Sequence, residues 1–301
     1  TSRNEDQIDF KELYNLILIR KKLVLFITIS FTLCSILFAY SLPNIFTSKV
    51  LLAPTLQEDS LTSQLGNFSS LGSIAGISIP SSTATKNKEG IERIKSYEFF
   101  LNNFLPFIKL ENIMATKKWD VQNNIIIYDK KLFDEKTKTW VRDVKYPKKV
   151  VPSSQEAYKA YREILSINED QKTSFVSISI EHHSPEIAKR WLEIIVFQIN
   201  ETMRDIDASL AKNSIAYLNE TSQSTNIQSI KEAIGKLLEN QMKALMLTAS
   251  NEEYVFKILD SPIAPEERSK PNRLLICVVG FLLGLISSLI VLFIHYVRKT
   301  N

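Results

Sequence analysis

Between Ser35 and Ile276 the chain has no cysteine, and the whole sequence has only two, Cys34 and Cys277. Disulfides therefore do not hold the long intervening region together. Glycine is also scarce. The seven glycines stand at 66, 72, 76, 90, 235, 280 and 284, and none forms the glycine-lysine-serine/threonine pattern of a phosphate loop. Charge of one sign is not in excess: 37 basic residues against 33 acidic ones leave a formal +4 with no basic stripe, so nothing points to a nucleic-acid partner. No pair of carboxylates stands out as general acid and base, and no Ser-His-Asp arrangement is spelled. The expectation is a protein that is not an enzyme and carries no cofactor. His182 and His183 are adjacent, so in a strand their side chains point opposite ways. That geometry is poor for one metal. Glu181 and Glu186 flank them, but ordinary surface histidines are the preferred reading and no metal ligand is assigned.

Long apolar runs are present, one near each end. Leu23–Leu42 (LVLFITISFTLCSILFAYSL) carries no charge, and Leu274–Tyr296 (LLICVVGFLLGLISSLIVLFIHY) has His295 near its end. About twenty apolar residues at roughly 1.5 Å each cross a hydrocarbon core of about 30 Å. Two buried core helices are the alternative, but no interior stretch rivals these runs. A cleaved signal peptide fits the first run poorly, because it is too long and no small-x-small site follows it. Arg20, Lys21 and Lys22 precede the first span and Arg298 and Lys299 follow the second, which places both ends in the cytoplasm. Arg268, Lys270 and Arg273 lie on the other side and weaken the second span's own signal. The expected division is a cytoplasmic arm at 1–22, spans at 23–42 and 274–296, an exported domain at 43–273 and a tail at 297–301.

The arm has Ile8, Phe10, Leu13, Leu16, Ile17 and Ile19; an interfacial helix and a continuation of the first span both fit. SKVLLAP (48–54) reads as a strand. Residues 57–90 are small and polar around an apolar LGSIAGISI, and read as a loop that docks near the membrane or on a neighbouring copy. Lys88–Leu105 reads as a helix ended by Pro106, with a short helix after it. Ser153 or Ser154 with Glu156 signals a helix start. Phe175–Glu181 alternates Val176, Ile178 and Ile180 with polar residues and reads as a half-buried strand. Ser184-Pro185-Glu186 then opens a helix as cap, first position and dipole partner. Leu192, Ile195, Ile199, Met203, Ile206, Leu210, Asn213 and Tyr217 step by three or four, which predicts a helix of about 35 residues, on the order of 50 Å. Leu192, Ile195, Ile199, Ile206 and Leu210 are the expected core of that arm. Thr221–Ile227 reads as a turn, and Ser229–Ser250 as a returning arm with Ile230, Ile234, Leu237, Leu238, Met242, Leu245 and Met246 on one face. Tyr254–Leu259 reads as a last strand.

Two features border the second span. SPIAPEERSKPNR holds Pro262, Pro265 and Pro271, which stop helix and sheet alike and keep the chain extended, as a stiff strap or a plain linker. Gly280 and Gly284, with Ser288, put small residues on one helix face and allow close helix approach, with Ser35 and Ala39 as a complementary face.

The proline strap followed by VVGFLLG resembles the Wzz-type chain-length determinants, or polysaccharide co-polymerases. IDFKELYNLI before the first span, SPEIAKRWLEIIVFQIN and EYVFKILDSP add to the resemblance, which spans essentially the whole chain. It implies an α+β membrane protein of the bacterial inner membrane: two transmembrane helices flanking a periplasmic α/β base (43–183 and 252–273), with a long helical hairpin (184–251) projecting from it. It implies a homo-oligomer that sets the length of O-antigen or a related surface polysaccharide made by a Wzy-type polymerase on a lipid carrier. Self, the polymerase, lipid-linked polysaccharide and membrane lipids are the implied partners. Pro262, Pro265, Pro271, Gly280 and Gly284 match the family motif. The five residues after Tyr296 leave the expectation that no kinase domain follows, which suits the lipopolysaccharide-type branch. A periplasmic sensor or an adaptor of an envelope complex is the competing reading, with its output supplied by a partner.

Overall fold

The computed structural model describes residues 20–55, 83–250 and 253–300. The arm at Ile8–Ile19 and the LGSIAGISI segment lie outside the described residues. The elements run α1 (Lys21–Ser41), β1 (Phe46–Pro54), α2 (Thr83–Ile94), α3 (Tyr97–Phe99, continued by a π turn over Phe100–Phe104 and a 3-10 turn over Leu105–Phe107), α4 (Leu110–Met114), β2 (Thr116–Asp120), β3 (Ile125–Tyr128), β4 (Phe133–Asp134), β5 (Thr139–Trp140), α5 (Ser154–Ile164), β6 (Leu165–Glu169), β7 (Val176–His182), α6 (Pro185–Ser224), α7 (Gln228–Ser250), β8 (Phe256–Asp260) and α8 (Arg273–Thr300). They divide into two compact units, Phe46–Glu267 and Thr1–Ile45 with Arg268–Asn301.

The larger unit is built on an antiparallel sheet of order β6-β7-β1-β8. Strand alternation decides its faces. Val50, Leu52, Val176, Ile178, Ile180 and Phe256 point to one side and are buried, while Lys49, Ser166, Asn168 and Lys257 point to the other and are exposed. The first half of α6 covers the apolar face with Trp191, Leu192, Ile195, Val196, Ile199 and Met203, joined by Ile94, Phe100, Phe104, Ala157 and Tyr161. Burial of these side chains stabilises the unit by about 25 cal/mol per Å² of apolar surface removed from water.

The helix expected over Lys88–Leu105 breaks at Lys95–Ser96, with no proline or glycine to announce it. Ser96 takes an extended conformation and its side chain accepts from Phe99 N. The orphaned carbonyls at the end of α2 are met by tyrosines of α5: Tyr161 Oη donates to Ile94 O at 2.9 Å and Tyr158 Oη to Lys95 O at 2.5 Å. Burial raises the Tyr161 hydroxyl above the usual phenol range, which keeps it a neutral donor. α5 itself starts with a full capping box, in which Ser153 and Glu156 satisfy each other's backbone N–H. Its partner Arg142 binds Glu156 at 2.8 Å, holds that carboxyl below its ordinary range, and donates to Lys149 O and Val150 O. The loop before α5 is thereby tied to the helix cap.

In the smaller unit α1 and α8 are both long and apolar enough to cross a membrane, with only 11% and 17% of their apolar windows buried. A core helix of a soluble protein buries most of its apolar surface, so that alternative does not describe these two. Ile45 exchanges backbone hydrogen bonds with Lys270, and Ser269 N donates to Ile45 O at 2.9 Å. The chain leaving α1 and the chain approaching α8 are thus paired.

Candidate functional site

Chemistry is not concentrated in any one place. Among the described residues no group of three or more His, Cys, Asp or Glu is arranged to hold a metal. The two histidines differ. His182 is buried, which corrects the surface reading: its Nδ1 accepts from Ser184 N at 2.9 Å and its Nε2 lies 3.0 Å from Asn112 O. Nδ1 as acceptor fixes the tautomer with the proton on Nε2, so the ring is neutral and fully used. Burial pushes its pKa down to about 4. His182 therefore joins the end of α4 to the corner where β7 turns into α6. Ser184 stands at the α6 N-cap but makes no side-chain capping bond, which corrects the expected cap; only its own backbone N–H is met, by His182.

The elements that can act on another molecule are structural. The first is the face between α1 and α8. A Cβ added at Gly280 would lie 2.3 Å from Ser35 Cβ, and one at Gly284 would lie 2.8 Å from Phe31 Cβ and 3.1 Å from Thr28 Cα. Neither glycine can carry a side chain without moving the facing helix. Ser288 and Ala39 are buried on the same face. The hydroxyls there are satisfied on their own helices: Thr28 Oγ1 donates to Val24 O, Ser35 Oγ to Thr32 O and Ser288 Oγ to Leu285 O. Small side chains with internal hydrogen bonds let the backbones approach closely.

The second is the strap. In the larger unit Pro262 is buried, Pro265 is half-buried, and Ser48 Oγ of β1 donates to Ile263 O at 2.7 Å. In the smaller unit Pro271 is half-buried just before Asn272, whose Oδ1 caps α8 by accepting from Leu275 N.

The third is the α6–α7 hairpin. α6 has 40 residues, about 60 Å of helix. Leu192, Ile195 and Ile199 are fully buried, but they lie on the part of α6 that packs on the sheet. Ile206 is half-buried, and Leu210 is 62% exposed, a correction to its place in the hairpin core. Beyond Met203 the buried positions become Ala211, with Ser214, Ile215 and Leu218 half-buried. The cause is a change of partner: the sheet sets the buried side of the lower half and α7 sets it for the upper half, one residue further round. On α7, Ile234 and Thr248 are buried with Leu238 and Leu245 half-buried, whereas Ile230, Leu237, Met242 and Met246 are exposed.

Two positioning groups had escaped the sequence reading. Asn200 is buried in α6 and fully used: Oδ1 accepts from Val255 N at 2.8 Å and Phe256 N at 2.9 Å, and Nδ2 donates to Val196 O and Phe256 O at 3.1 Å. It fastens the start of β8 to the long helix. A polar residue inside an apolar helical stripe was the available signal. Two turns higher, Asp207 Oδ2 accepts from Lys86 Nζ and Tyr254 Oη, both at 2.7 Å. These contacts pin the first turn of α2 and the chain entering β8 to the middle of α6.

Comparison with known proteins gives the context for these elements. No curated protein matches the chain. Among solved structures, a full-length bacterial polysaccharide co-polymerase is similar with a TM-score of 0.43 and 11% identity, over 98% of this chain and 99% of that one. A fragment of WzzB, a polysaccharide co-polymerase from Salmonella Typhimurium, is similar with a TM-score of 0.33 and 16% identity, over 75% of this chain and all of that one (100%). In sequence, the family model described as Wzz, chain length determinant protein, matches residues 6–99. That stretch takes in α1, β1, α2 and α3. Over residues 6–99, then, the chain is similar to the Wzz chain length determinant family.

Proposed function

We propose that the chain regulates the length of lipopolysaccharide O-antigen or a related surface polysaccharide. It acts as a non-catalytic, homo-oligomeric scaffold in the inner membrane beside a Wzy-type polymerase, with residues 43–273 in the periplasm. The observation that carries this reading is the chain length determinant match over 6–99, on a chain with an apolar helix near each end.

Other features support the scaffold role. Leu210 and Tyr217 of α6 and Leu237, Met242 and Met246 of α7 are exposed in the single chain. Apolar side chains repeated along a hairpin are the surface an identical neighbour can cover. Pro262, Pro265, Pro271, Gly280 and Gly284 are the proposed assembly residues. In this reading the glycine face keeps the two spans as a fixed pair, and the proline strap is a stiff link in the chain between the domain and the second span.

The test is deletion of the gene in a strain that makes the polymer. The modal length of the polysaccharide ladder on a gel is expected to change while polymer is still made; an unchanged ladder would refute the proposal.

A further inference from the structure

Arg273 begins α8, at the end of the apolar run that adjoins the large unit in sequence. Among the described residues its charge has no acidic answer: no ion pair includes it, although Glu266 and Glu267 precede it in the sequence. Nη2 donates to Asn44 Oδ1 at 3.1 Å, the guanidinium carbon lies 4.9 Å from the centre of the Tyr40 ring, and Nε is buried with no hydrogen-bond partner. A guanidinium has five N–H donors, so a single bond to a neutral amide oxygen leaves most of its capacity unused.

The surroundings hold this side chain in place. Asn44 is next to Ile45, whose backbone is paired with Lys270, and Asn272 caps α8 immediately before Arg273. The Tyr40 ring, 4.9 Å from the guanidinium carbon, adds a cation–π contact. Arg268 and Lys270, both exposed, lie within five residues. Cations on this side of a span work against the usual topological bias, which favours them at the cytoplasmic end. An anionic surface at the membrane boundary would complement them.

We propose that Arg273, set over the Tyr40 ring and steered by Asn44, binds the phosphate of an anionic lipid headgroup, with Arg268 and Lys270 adding charge nearby. The planar fork of the guanidinium matches two phosphate oxygens, which a single ammonium cannot do. Phosphate held there would fix the level of the α8 entrance, and hence of the strap, against the membrane surface. The proposal rests on the two-span membrane reading and not on the polysaccharide reading.

The test uses the full chain. Flotation with proteoliposomes first establishes insertion; failure to insert would overturn the membrane reading and this proposal with it. Native mass spectrometry in detergent then compares phosphatidylglycerol with phosphatidylcholine of the same acyl chains, and thermal unfolding compares each lipid with inorganic phosphate. Wild type is expected to retain phosphatidylglycerol preferentially and to be protected by it more than by inorganic phosphate. Arg273→Gln is expected to lower the preference about tenfold, and Arg273→Lys to fall between, because it keeps charge but loses the fork. Tyr40→Leu, which removes no charge, is expected to weaken retention as well. Lys49→Gln, a basic residue on the polar face of the sheet, should leave it unchanged. Equal retention of the two lipids, an unaltered preference in Arg273→Gln, or equal protection by inorganic phosphate would each overturn the proposal.

Discussion

Replacing Asn200 by alanine should unlatch β8 from the long helix. The side chain accepts from Val255 N and Phe256 N and donates to Val196 O and Phe256 O, all within a buried pocket. β8 is an edge strand held by β1 alone, so these contacts are a large share of what fixes its start. Val196 O still has its place in the helix ladder. The groups left without this partner are the two N–H donors and Phe256 O; counting the donors alone, each buried unsatisfied group costs about 1–3 kcal/mol. The expected loss is therefore about 2–6 kcal/mol. Asn200→Asp should rescue little: a carboxylate can accept both N–H bonds but cannot donate to Phe256 O, and burying its charge is costly. The assay is chemical unfolding of the full chain in detergent, followed by far-UV circular dichroism, with the slope checked for constancy. A midpoint for Asn200→Ala equivalent to less than about 0.5 kcal/mol of change would show that water or rearrangement replaces the latch, and would refute the reasoning.

His182 is held neutral in the fold at about 4, against about 6.5 unfolded. Between those values the unfolded chain binds more protons, so stability should be full above about pH 6.5 and fall as pH drops toward 4, by about 3 kcal/mol; a flat profile that is unchanged in His182→Gln would contradict this. Ile199→Ala should cost about 2–5 kcal/mol, because the side chain is fully buried against the sheet. Leu210→Ala, at 62% exposure, should leave the single chain's stability within about 0.5 kcal/mol and weaken self-association, measured by light scattering or cross-linking. Gly284→Leu should force α1 and α8 apart, since even a Cβ would fall 2.8 Å from Phe31 Cβ. A shifted polysaccharide length is the expected readout, and normal assembly with normal regulation would refute the packing argument.

Local chemistry made some of the fold legible. Alternation in Val176–His182 and the Ser-Pro-Glu start of α6 are short-range signals, and both elements form where those signals stand. What was missed depends on distant partners. β6 follows α5 without a break, because Leu165 takes an extended conformation where pairing with Ile180 becomes available. The break after Ile94 is stabilised by tyrosine hydroxyls from α5, more than sixty residues further along. His182 looked like a surface residue because nothing near it in sequence announces Asn112 O. Leu210 kept the helical rhythm of the lower α6 and was placed in the core. The rhythm continues, but the partner changes from sheet to helix, and with it the side that is buried.

The central claim is that this chain sets polysaccharide length by scaffolding. Its most direct measurement is the electrophoretic ladder of surface polysaccharide from a deletion strain carrying either the wild-type chain or an empty vector. The wild-type chain is expected to restore a narrow modal cluster, and the empty vector to leave a broad, unclustered distribution. Indistinguishable ladders from the two strains, with the wild-type chain present in the membrane, would contradict the claim.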